Sequence, residues 1–199
     1  YQLSDDLFYV LEKALKYCEW TDNAFNPTLD SIIELWGFGY KKTNQSIPDS
    51  LSIAQLLNNI GCDKIILNQK NQTLTKLSKE VTLNLNAIAK GYAVDLIHNM
   101  FKNYKINHYM INIGGEIRTK GLNFNNSAWK IDIAYPDTVN DYQKSIIRLS
   151  LSNYSIATSG DYNNYFIQDE NLYSHIFDYR TGYPINNNVI SATIISKNC

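Results

Sequence analysis

Cysteine, histidine, proline and methionine are all scarce in this 199-residue chain, and their scarcity excludes several classes of protein. Three cysteines, Cys18, Cys62 and Cys199, stand far apart and odd in number, a pattern that gives neither a zinc-ligand spacing nor a disulfide framework. Cys18 falls on an apolar helical stripe and Cys62 follows a helix-ending glycine, so both read as small buried hydrophobes. There is no excess of positive charge: the formal net charge is −1, so no basic face for nucleic acid or anionic lipid is called for. No apolar run is long enough for a transmembrane helix, and no signal-peptide pattern is visible. Repeats, linkers and low-complexity segments are missing as well. The chain opens at Tyr1 without an initiator methionine, so a processed or trimmed piece of a longer protein is expected.

What is present is an ordinary globular balance, 44% hydrophobic and 19% charged, which excludes a wholly disordered chain and suits one large domain or two small lobes. The 15 tyrosines and plentiful asparagines fit AT-rich codon usage better than a binding role. Ser4 is placed to cap a helix with Leu7, Leu11, Ala14 and Cys18 on its inner face. Asp22 to Thr28 reads as a loop, Leu29 to Trp36 as a short helix stopped by Gly37, and Pro48-Asp49-Ser50 as the start of a third helix with Leu51, Ala54, Leu57 and Ile60 inward. Alternation predicts a hairpin of residues 64–67 and 73–77, and a further strand through Val81, Leu83 and Leu85. The main helix is expected over 86–104, burying Ala89, Ala93, Leu96, Ile97 and Met100. Strands are expected at 109–113, 117–120, 129–134, 145–151, 155–157 and 189–196, joined by short turns. The fold class is therefore α+β, a largely antiparallel sheet with packed helices.

Four clusters can carry chemistry. In the first, Asn84 to Asp95, a strand runs into a helix whose free N–H groups attract phosphate and whose Lys90 adds charge; taken alone, an ordinary strand–helix junction with Gly91 for close packing is the simpler reading. The second, Asn112 to Arg118, holds Gly114-Gly115, which fits a close backbone approach or a plain hairpin turn; it lacks the third glycine of a dinucleotide fingerprint. The third, Asp22 to Thr28 with Trp36 to Gly39, lets Phe25 lie against a planar ring or serve as a core anchor. The fourth runs from Ala157 to Pro184 and gathers small hydroxyl residues, His175, Asp178 and the Arg180-Thr181-Gly182 turn. It suits a phosphate-bearing ligand better than a core. His175 alone among the three histidines sits among polar loop residues, and Asp178 is a candidate to steer its ring; His98 and His108 read as structural.

Taken in order, these blocks resemble the ApbE family of bacterial flavin transferases, the FAD:protein FMN transferases. The matching segments are 24–28 with 35–39, 85–95, 112–121, 157–166, 175–184 and 191–193, spread over nearly the whole chain. The resemblance implies an ApbE-like flavin transferase fold over residues 1–199 as a single domain, incomplete at both ends. It implies an enzyme that binds FAD and magnesium, moves the FMN half onto a Thr or Ser hydroxyl of a partner protein, and releases AMP. It also implies acceptors among subunits of sodium-pumping NADH:quinone reductase and the RNF complex, and a periplasmic protein anchored as a lipoprotein, although no lipid-accepting Cys stands at the start of this chain. By the family pattern Ala24, Phe25, Asn26, Asn84 and Lys90 line the FAD site, with Phe177 contributing through its backbone. The Ala87 carbonyl faces the metal and His175 is catalytic.

The sequence departs from that pattern in three places. Asn26 and Asn84 stand where Asp is usual, so each exchanges a charge for a donor. Tyr179 stands where Pro is usual. The family's Asp and Thr metal ligands lie just beyond the last strand, past Cys199, which makes an excerpt of a complete enzyme the expectation. Two other functions share the same site: an FAD pyrophosphatase, with water in place of the acceptor, and an FAD-binding protein without catalysis.

Overall fold

The computed structural model describes residues 1–41, 44–136, 144–162 and 164–199. In chain order its elements are α1 (Asp5–Trp20), α2 (Asp30–Leu35), α3 (Ser50–Leu57), a 3-10 turn (Cys62–Lys64), β1 (Ile65–Asn68), β2 (Thr73–Lys76) and α4 (Asn86–Asn103). There follow β3 (Tyr109–Ile113), β4 (Glu116–Lys120), β5 (Trp129–Ala134), β6 (Ser145–Leu151), β7 (Ser155–Gly160), β8 (Tyr165–Gln168), β9 (Asn171–Ser174), β10 (Phe177–Asp178), β11 (Tyr183–Pro184) and β12 (Ser191–Ser196). Every strand pair among the described residues is antiparallel, as the short turns predict. The fold is α+β. No helix among these residues is long and apolar enough to cross a membrane. The chain divides into two compact units, Tyr1–Ile88 with Asn164–Asn186, and Ala89–Asn163 with Asn187–Cys199.

In the first unit Ser4 caps α1 as expected, its Oγ accepting from Leu7 N at 3.3 Å, and Asp5 and Asp6 suit the positive end of the helix. The buried stripe is Phe8, Leu11, Ala14 and Cys18 with Val10; Leu7 is displaced to the surface because the neighbouring, larger Phe8 takes the inward position. On α3, capped by Asp49 through Ser52 N, the stripe is likewise shifted. Ile53 is buried, with Leu56, Leu57 and Ile60 beside it, while Leu51 and Ala54 face outward. Leu11 joins Ile65, Leu74 and Val81 in one core, where the β1–β2 hairpin packs on α1. Val81 to Leu85 alternates as predicted but forms no strand; Val81 is fully buried and Leu83 and Leu85 rest on that core without a ladder.

A second core surrounds Trp36, with Leu29, Ile32, Ile53 and Phe177 buried and Phe38, Phe166 and Tyr173 packed against them. The β8–β9 and β10–β11 hairpins that supply these rings were not foreseen from the sequence. Trp36 Nε1 donates to Gly182 O at 2.9 Å, so the one polar atom of the indole is satisfied inside the core.

Cys18 and Cys62 are joined in a disulfide, which corrects their reading as unlinked hydrophobes. The two are 44 residues apart and their Cα atoms lie 6.6 Å apart. Their meeting is a tertiary event between the end of α1 and the turn after Gly61, so no local spacing signals it. The apolar stripe that buries Cys18 is also what presents it to that turn. On the chain-entropy model, closing a loop of this length removes about 4 kcal/mol of freedom from the unfolded chain.

The second unit is a four-stranded sheet in the order β12-β7-β4-β3 with α4 on one face and the β5–β6 hairpin on the other. Val94, Tyr109 and Ile111 form the helix-side core, joined by Ile97 and Phe101. The buried face of α4 therefore runs through 94, 97 and 101, about one residue round the helix from the predicted one; Leu96 and Met100 are exposed. Ile131, Leu151 and Ile156 make the opposite core. β7 runs on to Gly160, and β12 begins at Ser191 rather than Val189.

Candidate functional site

The loop from Thr21 to Thr28 leaves α1 through hydrogen bonds that reverse the chain. Thr21 Oγ1 donates to Tyr17 O at 2.7 Å and accepts from Phe25 N at 2.9 Å, and Asn23 N reaches back to Cys18 O. Asp22 and Asn23 take left-handed backbone conformations, which their short polar side chains tolerate. Phe25 meets Tyr17 edge-on at 6.2 Å and is half-buried. Asn26 Oδ1 accepts from Thr28 N at 2.9 Å and from Thr28 Oγ1 at 2.7 Å. A backbone N–H must meet an oxygen, so the amide's orientation is fixed. Its Nδ2 is then buried with no hydrogen-bond partner among the described residues. A buried donor left this way costs about 1–3 kcal/mol, and an arriving acceptor relieves it.

Asn84 is a joint. Its N–H donates to Pro27 O at 2.8 Å, its Nδ2 to Asp30 Oδ1 at 3.1 Å, and its Oδ1 accepts from Asn86 N at 3.0 Å, at the start of α4. Its side chain thus ties α2 to the start of α4, and its backbone N–H ties in the Phe25–Thr28 loop at Pro27. Ala87 stands in the first turn of α4 and is exposed.

His175 follows β9. Its backbone N and its Nδ1 both lie 3.1 Å from Asn164 O. A carbonyl can only accept, so Nδ1 carries the proton in the neutral ring and the lone pair is at Nε2. Asp178 does not steer this ring. Its carboxylate is clasped by Arg180, with Nε at 2.9 Å, Nη2 at 2.6 Å and the backbone N at 2.9 Å. Those bonds, the side-chain ones first, hold the Asp178 carboxyl below its ordinary range and raise Arg180. Phe177 is buried in the Trp36 core, which leaves only its backbone for a ligand.

The first unit therefore holds Ala24, Phe25, Asn26, Asn84, Ala87, His175 and Phe177. Lys90 belongs to the second. Its Nζ lies 2.8 Å from Glu116 Oε2, an oxygen with no other hydrogen bond among the described residues, and 3.4 Å from Gly114 O. Gly91 is needed for packing: a Cβ there would lie 2.9 Å from the Cys199 carbonyl carbon. Asn112 Oδ1 accepts from Gly115 N, and Gly114-Gly115 form the two-residue turn of the β3–β4 hairpin. Within the 157–166 segment, Asn163 lies outside the described residues. His98 is bonded to Tyr109 and His108 to Leu122, both in structural roles as expected. Among the described residues no group of three His, Cys, Asp or Glu could hold a metal.

Sequence reasoning missed three contributors. Thr28 was signalled by the Asn-Pro-Thr spacing, which favours a side-chain turn. Asp30 carried no signal. Asn164 acts through its carbonyl, which no residue type announces. A buried amide donor in want of an acceptor and an imidazole whose Nδ1 is bonded to a carbonyl, both in the first unit, suit a ligand rich in acceptor oxygens and a proton transfer.

Comparison with known proteins places the chain in a family. The chain matches the ApbE family over residues 1–199. An FAD:protein FMN transferase of Vibrio cholerae is 36% identical over 199 residues, covering 100% of this chain and 58% of that protein. One from Haemophilus influenzae is 34% identical over 197 residues, covering 98% and 57%. The solved flavin transferase ApbE from Vibrio cholerae superposes with a TM-score of 0.86 at 34% identity, over 100% of this chain and 62% of that one. An ApbE protein from Thermotoga maritima gives 0.87 at 32% identity, over 99% and 62%. The chain spans less than two thirds of the length of these relatives.

Proposed function

Because this chain belongs to the ApbE family, we propose that the intact protein is an FAD:protein FMN transferase. The observation that carries the reading is the match along all 199 residues to a transferase at 36% identity. FAD supplies an activated FMN phosphoryl group whose leaving partner is AMP. Asn26 fits such a substrate, since its buried Nδ2 wants an acceptor. Phe25 offers a ring face or edge to a planar system. His175, with its proton held on Nδ1 by Asn164 O, presents Nε2 as the base. It takes the proton of the acceptor's Thr or Ser hydroxyl as that oxygen bonds to the FMN phosphorus and the AMP half departs with the bridging oxygen.

Magnesium belongs to the proposed reaction through the family, with the Ala87 carbonyl as one ligand. A first-turn helix carbonyl ordinarily bonds the N–H four residues on and keeps one lone pair for a metal. Among the described residues no cluster of three ionisable ligands accompanies it. The acceptors proposed are subunits of sodium-pumping NADH:quinone reductase or of the RNF complex. The site proposed for the protein is the periplasm, on a lipid anchor; the Cys18–Cys62 disulfide supports an oxidising compartment.

The test is product analysis by chromatography after incubating the intact protein with FAD, magnesium and an acceptor. Transfer predicts AMP formation that requires the acceptor. AMP with free FMN in its absence identifies a pyrophosphatase, and FAD recovered unchanged identifies a binding protein; either result overturns the transferase.

A further inference from the structure

The Cys18–Cys62 disulfide lies next to the loop that carries Phe25 and Asn26, and the two are wired together. Cys18 O accepts from Asn23 N at 2.8 Å, which starts the loop. At the other cysteine, Gly61 N donates to Thr28 Oγ1 at 2.9 Å, and that same hydroxyl donates to Asn26 Oδ1 at 2.7 Å. Cys62 Sγ itself lies 3.6 Å from Asn26 Oδ1. Thr28 is 1% exposed, so its hydroxyl has no water to fall back on and the relay is held in one arrangement. Both ends of the loop are thus fixed to the two halves of one covalent bond.

We propose that the Cys18–Cys62 disulfide, with Thr28 as its relay, is a positioning device for the donor substrate: it holds the Asn26 amide with its unpartnered Nδ2 aimed for an acceptor on FAD. This rests on the FMN-transferase reading of the site. Without the covalent link, α1 and the Gly61 turn are free to separate, the Thr28 hydroxyl loses its fixed donor, and the Asn26 amide samples other orientations. A loop that keeps the binding arrangement one tenth of the time weakens apparent affinity about tenfold. The cysteines touch no reacting atom, so the loss falls on FAD binding rather than on the chemical step.

The experiment uses the intact protein and two sets of variants, Cys18→Ala/Cys62→Ala and Thr28→Val, alone and combined, with Thr28→Ser as the conservative control. Calorimetry with FAD measures affinity directly, and steady-state transfer separates KM for FAD from kcat. The expected result is a roughly tenfold loss of FAD affinity in each, a matching rise in KM, kcat within about twofold, and recovery in Thr28→Ser. The combined protein should lose little more than either alone, because both changes break one relay. Thr28→Val keeps the disulfide, so it decides the matter even where the cysteine variant does not fold. FAD affinity unchanged in folded Thr28→Val, or additive losses in the combination, overturns the proposal while leaving the transferase reading intact. Failure of the unaltered protein to bind FAD overturns both.

Discussion

Two hairpin turns of this protein both use glycine at positive φ and are built in opposite ways. The turn between β10 and β11 ends in Gly182, and the turn between β3 and β4 is Gly114-Gly115; all three glycines have positive φ. At Gly182 an added Cβ would lie 2.7 Å from Ile53 and 3.3 Å from Ile32, and the carbonyl is held by Trp36 inside the core. At Gly115 nothing lies within 4 Å of the same position. The closed turn anchors the segment that carries His175 to the Trp36 core. The open one is a two-residue connection whose glycines answer only to backbone sterics. A glycine in a turn can thus be demanded by packing or by φ alone, and only the surroundings tell which.

The largest expected effect on this contrast comes from Gly182→Ala. It combines a disfavoured φ with overpacking against Ile53, and a loss of about 3 kcal/mol is expected. Urea denaturation checks it, and a loss under 1 kcal/mol would break the distinction between the two turns. Asn84→Asp tests the joint on the same unit. It sets a second carboxylate beside Asp30 and replaces a hydrogen bond by repulsion, for an expected loss of about 1 kcal/mol at neutral pH. The repulsion raises the pair's carboxyl pKa in the folded protein above its unfolded value. The deficit is therefore full at neutral pH and shrinks as the pH falls through the raised pKa; melting curves at several pH values follow it. Gly115→Ala strains φ alone, without overlap, and should cost about 1 kcal/mol or less while leaving FAD affinity unchanged by calorimetry. The smallest effect is the acid behaviour of the Asp178–Arg180 clasp in the closed turn. The Arg180 hydrogen bonds hold its carboxyl below the ordinary carboxylate range, so its contribution is present above the unfolded pKa and fades as the pH falls through the lower, folded value. Asp178→Asn should flatten the corresponding part of the acid unfolding curve.

Elements whose signals are local could be read from the sequence. Ser4 marked α1, Asp49 marked α3, and alternation marked the β1–β2 and β5–β6 hairpins, the last with the observed bounds. What escaped was decided by tertiary contacts. Strands of two to four residues around His175 are too short for alternation to register, yet they pack on Trp36. Helix α4 has apolar residues on more than one side, so its inner face was misjudged by one position. At the candidate site, side chains such as Asn26 and His175 were visible as residue types. Their partners, a backbone carbonyl at Asn164, a hydroxyl at Thr28 and a disulfide across 44 residues, were not, because none of these leaves a local pattern.

His175 brings the contrast to function. The catalytic reading expects His175→Ala to slow transfer by about 10²–10⁴ while FAD binding persists, whereas a purely structural histidine would lower thermal stability and FAD affinity together. The most direct measurement is mass spectrometry of an acceptor protein after a timed incubation with FAD, magnesium and either the unaltered protein or His175→Ala. The account predicts an acceptor carrying one added FMN with the unaltered protein and almost none with folded His175→Ala. An unmodified acceptor with the former, or full modification with the latter, would contradict it.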